Sequence, residues 1–315
     1  MSFLVAPRNT RLPSCRRFII GAALGLLLLT GGCSALRIGY SQAPDLVYWW
    51  MDAYIDFTSE QTPRVREALV QWFAWHRKTQ LPDYADQLAR AQKEVLADTS
   101  AQRVCEWQDE LIKRAHTAFD RAEPAVVDVL LSVSPDQVRH LEKRYAKNND
   151  EFRDDYLQSD LRERADKTLD RTLERAEMLY GRFDDGQRAR IADWLARSPF
   201  DPELWLAERR QRQQETLRML RDLGPDNGAG REQATRALRE YVEHLERSPR
   251  ENYRRYSAKL KEFNCQFAAA LHNGTTAAQR RIAAKKLAGW EGDLRALVAQ
   301  GAAAEMRARP APGMR

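Results

Sequence analysis

Nine side chains in this sequence are of types that perform nucleophilic, redox or metal chemistry: Cys15, Cys33, Cys105 and Cys265, and His76, His116, His140, His244 and His272. The histidines show no ligand spacing, and a metal site needs three or four convergent donors. Glu240 and His244 stand one helical turn apart, with no third partner in register. The chain holds no Gly-rich phosphate loop, no Gly-x-Ser-x-Gly elbow, no His-Glu-x-x-His and no Cys-x-x-Cys. Its abundant Asp and Glu lie on charged helical stretches and read as solvated faces. Two carboxylates from distant helices could still face each other across a glycosidase-like cleft. The expectation is a protein that is not an enzyme and carries no cofactor and no metal. The chemistry left is that of the cysteines, and of these Cys33 has the most informative surroundings.

Arg8, Arg11, Arg16 and Arg17 precede an apolar run from Phe18 to Leu29, and small residues lead from there to Cys33. This is the order of a bacterial secretory signal. The run is twelve residues, short of the roughly 17–25 that cross a bilayer as a helix. Leu29-Thr30-Gly31-Gly32-Cys33 resembles a bacterial lipobox. That resemblance implies cleavage before Cys33, diacylation of its thiol and acylation of the new amine, with fatty chains of the palmitate kind. Several chains on one residue hold a protein stably where one chain does not. The sequence departs from the pattern at Thr30, where the motif usually has leucine. The alternatives are cleavage by an ordinary signal peptidase and an uncleaved signal anchor. Ser34, rather than Asp, follows the cysteine. By resemblance to sorted lipoproteins this implies the periplasmic face of the outer membrane of a Gram-negative bacterium.

Setting aside residues 1–32, with four arginines and no acid, lowers the formal net charge from +6 to +2. Nucleic acid is therefore not an expected partner. Cys105 and Cys265 are the two cysteines left, and in an oxidising compartment they read as one disulfide, with two separately buried thiols as the alternative. Closing so long a loop would stabilise the fold by about 5 kcal/mol in the chain-entropy picture.

The remaining elements must position these residues. Residues 33–43 read as a lipidated tether, spanning about 35 Å at most. Pro44 opens an aromatic helix, PDLVYWWMDAYIDF, in which Tyr48, Trp49, Trp50, Tyr54 and Phe57 spread apolar groups around most of the circumference. Burial in the core is one reading. Contact of Tyr48, Trp49, Trp50 and Tyr54 with the membrane interface or a partner groove is the other. Thr62-Pro63 looks like the start of a second helix, ending near Leu81-Pro82, with His76 a structural histidine on its aromatic face. A third is expected over 83–97 and a longer one from 99 to 131 that Pro124 kinks or divides. Next comes a charged span from Ser134 to Tyr180, with Asn148-Asn149-Asp150 as a candidate break and Glu163 and Lys167 as a supporting pair. Helices over 184–196 and 201–223, the linker 223–230 as a candidate sub-boundary, and three more helices to residue 298 complete the domain. Residues 301–315 read as a disordered tail. The expected fold is all-α, an extended bundle of about eight to ten helices without a sheet, occupying 44–300.

One spelling recurs at five helix starts: Thr58-Gln61, Thr99-Gln102, Ser134-Gln137, Asp184-Gln187 and Thr276-Gln279. This is the capping box, in which the first side chain accepts from a backbone amide one turn in and the glutamine returns the bond. Phe57, Val133 and Phe183 precede three of the boxes as hydrophobic staples. The spelling is similar to the Leu-Thr-x-x-Gln motif of small cradle-shaped periplasmic chaperones and envelope-stress sensors, and implies client binding as an alternative role. Over most of its length, through the lipobox, YWWMDAYIDFTSEQTPRVREAL and WFAWHRKTQLPDYA, the chain resembles a family of proteobacterial lipoproteins of unassigned function. The expected function is that of a membrane-anchored scaffold or adaptor with an unknown envelope protein partner. A peptidoglycan-active enzyme is the remote alternative.

Overall fold

A computed structural model describes residues 35–308. Among them are eleven α-helices and one 3-10 turn, and no strand. The first helix, α1 (Ala35–Ser41), lies within the expected tether. A helix advances about 1.5 Å per residue against about 3.5 Å when extended, so the tether reaches less far than open chain would. The signal segment, Cys33 and the last seven residues lie outside the described residues.

From Gln42 onward the chain forms one unit: α2 (Ala43–Ile55), α3 (Gln61–Glu94), α4 (Ala101–Leu130), α5 (Pro135–Tyr156), α6 (Leu161–Tyr180), α7 (Asp185–Leu195), α8 (Pro202–Leu223), α9 (Arg231–Glu246), α10 (Glu251–Asn273) and α11 (Ala277–Ala308). Its spine is the antiparallel pair α3 and α11. Gln92 donates to Glu291 at 2.6 Å, Arg295 pairs with Asp86 at 3.0 Å, and the backbone of Gly301 lies so close to Arg77 that a Cβ there would meet its Cδ at 2.8 Å. Helix α4 packs on α10 and α9, α5 on α8 and α2, and α6 on α7 and α11.

Among the described residues a large apolar cluster joins α4, α5, α8 and α9 through Val127, Leu130, Val138, Leu141, Leu217, Leu220, Leu223, Ala234 and Leu238, with Val133 in the turn before α5. Each fully buried aliphatic side chain of this kind contributes about 1.5–3 kcal/mol. Glu208, itself buried, accepts from Arg250 and Arg212 and ties α8 to α10. Burial pushes its carboxyl up, but hydrogen bonds from Arg250, Ser248 and Arg212 outweigh that and hold it below the usual range.

Three sequence expectations are corrected here and a fourth is narrowed. Pro82 lies inside α3 and does not end it. Packing along the whole α3–α11 seam outweighs the cost of about 3 kcal/mol for an interior proline. Of the two effects expected of Pro124, a kink or a division, division is excluded, because α4 runs through it. The charged span breaks at 157–160, where Asp160 caps α6, and not at Asn148-Asn149. Both asparagines are buried rungs between helices: Asn148 donates to the Tyr54 hydroxyl at 2.7 Å, and Asn149 exchanges bonds with Gln213 at 2.8 and 3.2 Å. Residues 301–308, expected to be disordered, continue α11, because the alanines there have the highest helix propensity. The segment 224–230 is a turn around the 3-10 element Pro225–Asn227, and α8 and α9 pack together across it. Lys167 meets Glu163 at 2.8 Å as the spacing predicts.

Candidate interaction site

Four of the five boxes form, and their glutamines do more than cap. In each, the backbone N–H of the cap residue donates to Oε1 of the glutamine: Thr58 to Gln61 at 3.0 Å, Ser134 to Gln137 at 2.9 Å, Asp184 to Gln187 at 3.1 Å and Thr276 to Gln279 at 2.8 Å. The cap side chains accept in return from the glutamine N–H at 2.7–3.3 Å. Thr99 does not cap; Ser100 does, accepting from Arg103 N–H at 3.1 Å. Thr62 is not a cap either, because its hydroxyl meets Tyr48 and donates to Thr58 O.

The boxes then pair. Gln61 and Gln137 exchange amide bonds at 3.3 and 2.7 Å, and each Nε2 also donates to the carbonyl two residues before the other's cap, Ser132 O at 2.8 Å and Asp56 O at 2.9 Å. Gln187 and Gln279 repeat the arrangement at 2.8 and 3.1 Å, reaching Gly274 O at 3.0 Å and Arg182 O at 2.9 Å. The first joint locks the start of α3 to that of α5, and the second the start of α7 to that of α11. Every staple residue, Phe57, Val133, Phe183 and also Thr275, is buried. The motif glutamines are thus saturated by structural bonds. Their pairing was not readable from any one box, although four boxes with glutamine at the same place were its signal.

Helix α2 is mounted on the first joint. Pro44 lies in its first turn, and Asp56 closes it in the left-handed region at φ 58°, a conformation Asp tolerates better than most residues. Asp52 accepts from Phe57 N–H at 3.0 Å. The inner face enters a small core of Tyr48, Phe57 and Val65, with Met51, Ile55, Leu69 and Val129 around it. The Tyr48 hydroxyl lies 2.9 Å from Thr62 Oγ1, and the Arg66 guanidinium sits 3.9 Å over its ring while pairing with Asp45 at 2.6 Å. Tyr54 accepts from Asn148 under the Arg144 guanidinium, 5.3 Å from its ring.

Of the two readings of this helix, burial in the core holds for Tyr48, and the four candidate contact residues, Tyr48, Trp49, Trp50 and Tyr54, divide between the inner and outer faces. Tyr48 and Tyr54 turn inward, since a helix rotates successive residues by about 100° and their hydroxyls find partners there. Trp49 and Trp50 are 59% and 56% exposed, and Leu46, one turn earlier, is 50% exposed. With exposed Ala53 these make an i, i+3, i+4, i+7 stripe that faces solvent without a charge. Sequence reading missed Leu46 and Ala53, although that spacing could have found them.

Cys105 on α4 and Cys265 on α10 form a disulfide, with sulfurs 1.97 Å and Cα atoms 5.5 Å apart. His272, one of the five histidines without ligand spacing, is buried between Tyr180, whose hydroxyl is 2.8 Å from Nδ1, and Ala97, whose carbonyl oxygen is 2.7 Å from Nε2. A carbonyl only accepts, so Nε2 carries a proton, and in the neutral ring Nδ1 accepts from tyrosine. Burial pushes the Tyr180 phenol up to about 12. His76 stacks on Trp72 at 4.7 Å and meets Tyr84 edge-on at 5.4 Å. Desolvation pulls it down to about 4, which suits a neutral structural histidine.

Among the described residues no three His, Cys, Asp or Glu side chains are grouped to hold a metal, and no helix is long and apolar enough to cross a membrane. A shallow cleft of about 120 Å³ between α7 and α10 is lined by Phe183, Ile191, Trp194, Phe267 and Leu271, with Arg190 among its polar lining residues. No curated protein and no solved structure matches the chain. A family model does match residues 53–254, from the last turn of α2 through the first joint and the Gln187 side of the second. The chain belongs to DUF6279, a family of unknown function.

Proposed function

We propose that this protein is a lipid-anchored envelope lipoprotein that works as a scaffold or adaptor, holding a cross-braced helical body at the periplasmic face of the outer membrane. The observation that carries the reading is the disulfide between Cys105 and Cys265, which belongs in an oxidising compartment and leaves Cys33 as the cysteine free for acylation in the exported chain. The saturated glutamine joints support a body built to be rigid, and its role is interaction and not catalysis. Membrane fractionation of cells carrying the full chain or its Cys33→Ser variant tests the anchor. The wild type should sediment with the outer membrane, and the variant should appear in the soluble periplasmic fraction. A wild-type protein recovered from the cytoplasm would end the reading.

The apolar cleft beside Trp194 and Phe267 favours a second reading, a chaperone that receives unfolded clients. It requires the purified protein to suppress aggregation of an unfolded client at near-stoichiometric amounts, and no suppression would remove it.

A further inference from the structure

Three large apolar side chains, Leu46, Trp49 and Trp50, stand half-exposed or more along one face of α2. Together they show solvent roughly 300 Å² of apolar surface, the size of patch that on a monomer is often functional. Among the described residues nothing covers them. The face begins thirteen positions after Cys33, so an acylated Cys33 would keep it within a short tether of a bilayer.

The neighbouring surface has the matching charge. Trp50 packs on Tyr54 at 5.1 Å, and Arg144 of α5 lies over that same ring. His140, one turn earlier on α5, places Nε2 3.3 Å from Ala53 O. Exposed Lys143 and Lys147 continue this stripe at helical spacing. The acids nearby are largely engaged: Asp45 with Arg66, Asp52 with the backbone of Phe57, and Glu151 with Lys147 at 3.9 Å. Asp56 is exposed at the end of the helix.

Tryptophan pairs beside cationic side chains are the composition of a helix that lies in the headgroup layer, its indoles at the acyl boundary and its cations against anionic lipid. We infer that the Leu46–Trp49–Trp50 face of α2 docks in the plane of the bilayer that holds the chain, with the His140–Lys147 stripe on anionic headgroups, and so fixes which side of the body faces the periplasm. The inference rests on the anchored reading above. Tethering makes the docking step intramolecular, so a weak intrinsic affinity is sufficient.

Brominated-lipid quenching tests it on the mature full-length protein in vesicles of phosphatidylethanolamine and phosphatidylglycerol. Two of the eight tryptophans lie on this face, so the expected loss is about a quarter of the emission. That loss should vanish in the folded Trp49→Phe/Trp50→Phe variant and shrink when Lys143 and Lys147 are changed to Glu. Acylated wild type with unquenched tryptophans would overturn the docking face and leave the anchored reading intact. Quenched tryptophans on a protein without acyl chains would remove the anchored reading and keep the face. A photo-crosslinker at position 50 that captures a stoichiometric protein, whether a second copy or another chain, would also overturn the inference.

Discussion

The first joint, where α3 meets α5, has one half-buried glutamine, Gln61, beside one fully buried, Gln137, and it carries α2 with its outward tryptophans. The second joint, where α7 meets α11, buries both Gln187 and Gln279 and is closed by the Tyr180–His272–Ala97 bridge. At that second end Asn273 exchanges bonds with Thr99 at 2.8 and 2.9 Å, Arg280 pairs with Asp98 at 2.5 Å, and the disulfide bolts α4 to α10. The same hydrogen-bonded unit is therefore used in two settings. One end is locked by covalent and buried polar bonds, and the other presents an uncovered apolar face. The difference leaves one end of the α3–α11 spine locked and the other with large apolar side chains facing solvent.

Removing the covalent lock should have the largest effect on this asymmetry. The Cys105→Ser/Cys265→Ser variant is expected to lose about 2–5 kcal/mol, the usual cost of deleting a native disulfide. Denaturant unfolding measures the loss. Hydrogen exchange should rise around Gly274–Gln279 and stay unchanged around Asp56–Gln61, and equal loosening of both ends would break the comparison. Gln279→Leu comes next. It strands the Arg182 carbonyl and the Gln187 amide in a buried site, at about 1–3 kcal/mol. Gln61→Leu at the wetter joint should cost less, since water can replace part of the lost bonding. Reversal of that order would show that burial does not separate the two joints.

Acid tests the stretch of α3 between the joints. Desolvation lowers the folded His76 imidazole to about 4 from its ordinary value of 6.5. Below that ordinary value the unfolded chain binds the extra proton first, so the stability tied to His76 is full above it and is lost as pH falls to about 4. Comparing urea midpoints of wild type and His76→Phe across that window checks it; identical pH profiles would contradict it. The smallest effect is expected at the open end. Trp49→Ser/Trp50→Ser should shift stability by no more than about 0.5 kcal/mol, as surface changes do, whereas Tyr48→Ser, on the same helix but buried, should cost several times more.

Much of this was legible because it is local. The boxes at Thr58, Ser134, Asp184 and Thr276 need only four consecutive residues, and the Glu163–Lys167 pair only five. What escaped depends on partners far along the chain. Gln61 finds Gln137, Asn149 finds Gln213, and His272 finds Tyr180 and Ala97 across separations that leave no periodic trace. Pro82 reads as a stop because its cost is local, while the α3–α11 seam that overrides it is not. The four aromatic residues of α2 read as one group, yet only hydroxyl partners on α3 and α5 decide that Tyr48 and Tyr54 go inward and the tryptophans out.

Intact-mass and peptide mass spectrometry of the mature protein isolated from membranes reads the anchor and the disulfide together. The chain should begin at Cys33 with acyl groups on that residue, and carry a Cys105–Cys265 linkage in the same molecules. A mature chain with an unmodified Cys33, or with Cys105 and Cys265 recovered as free thiols, would contradict the proposed function.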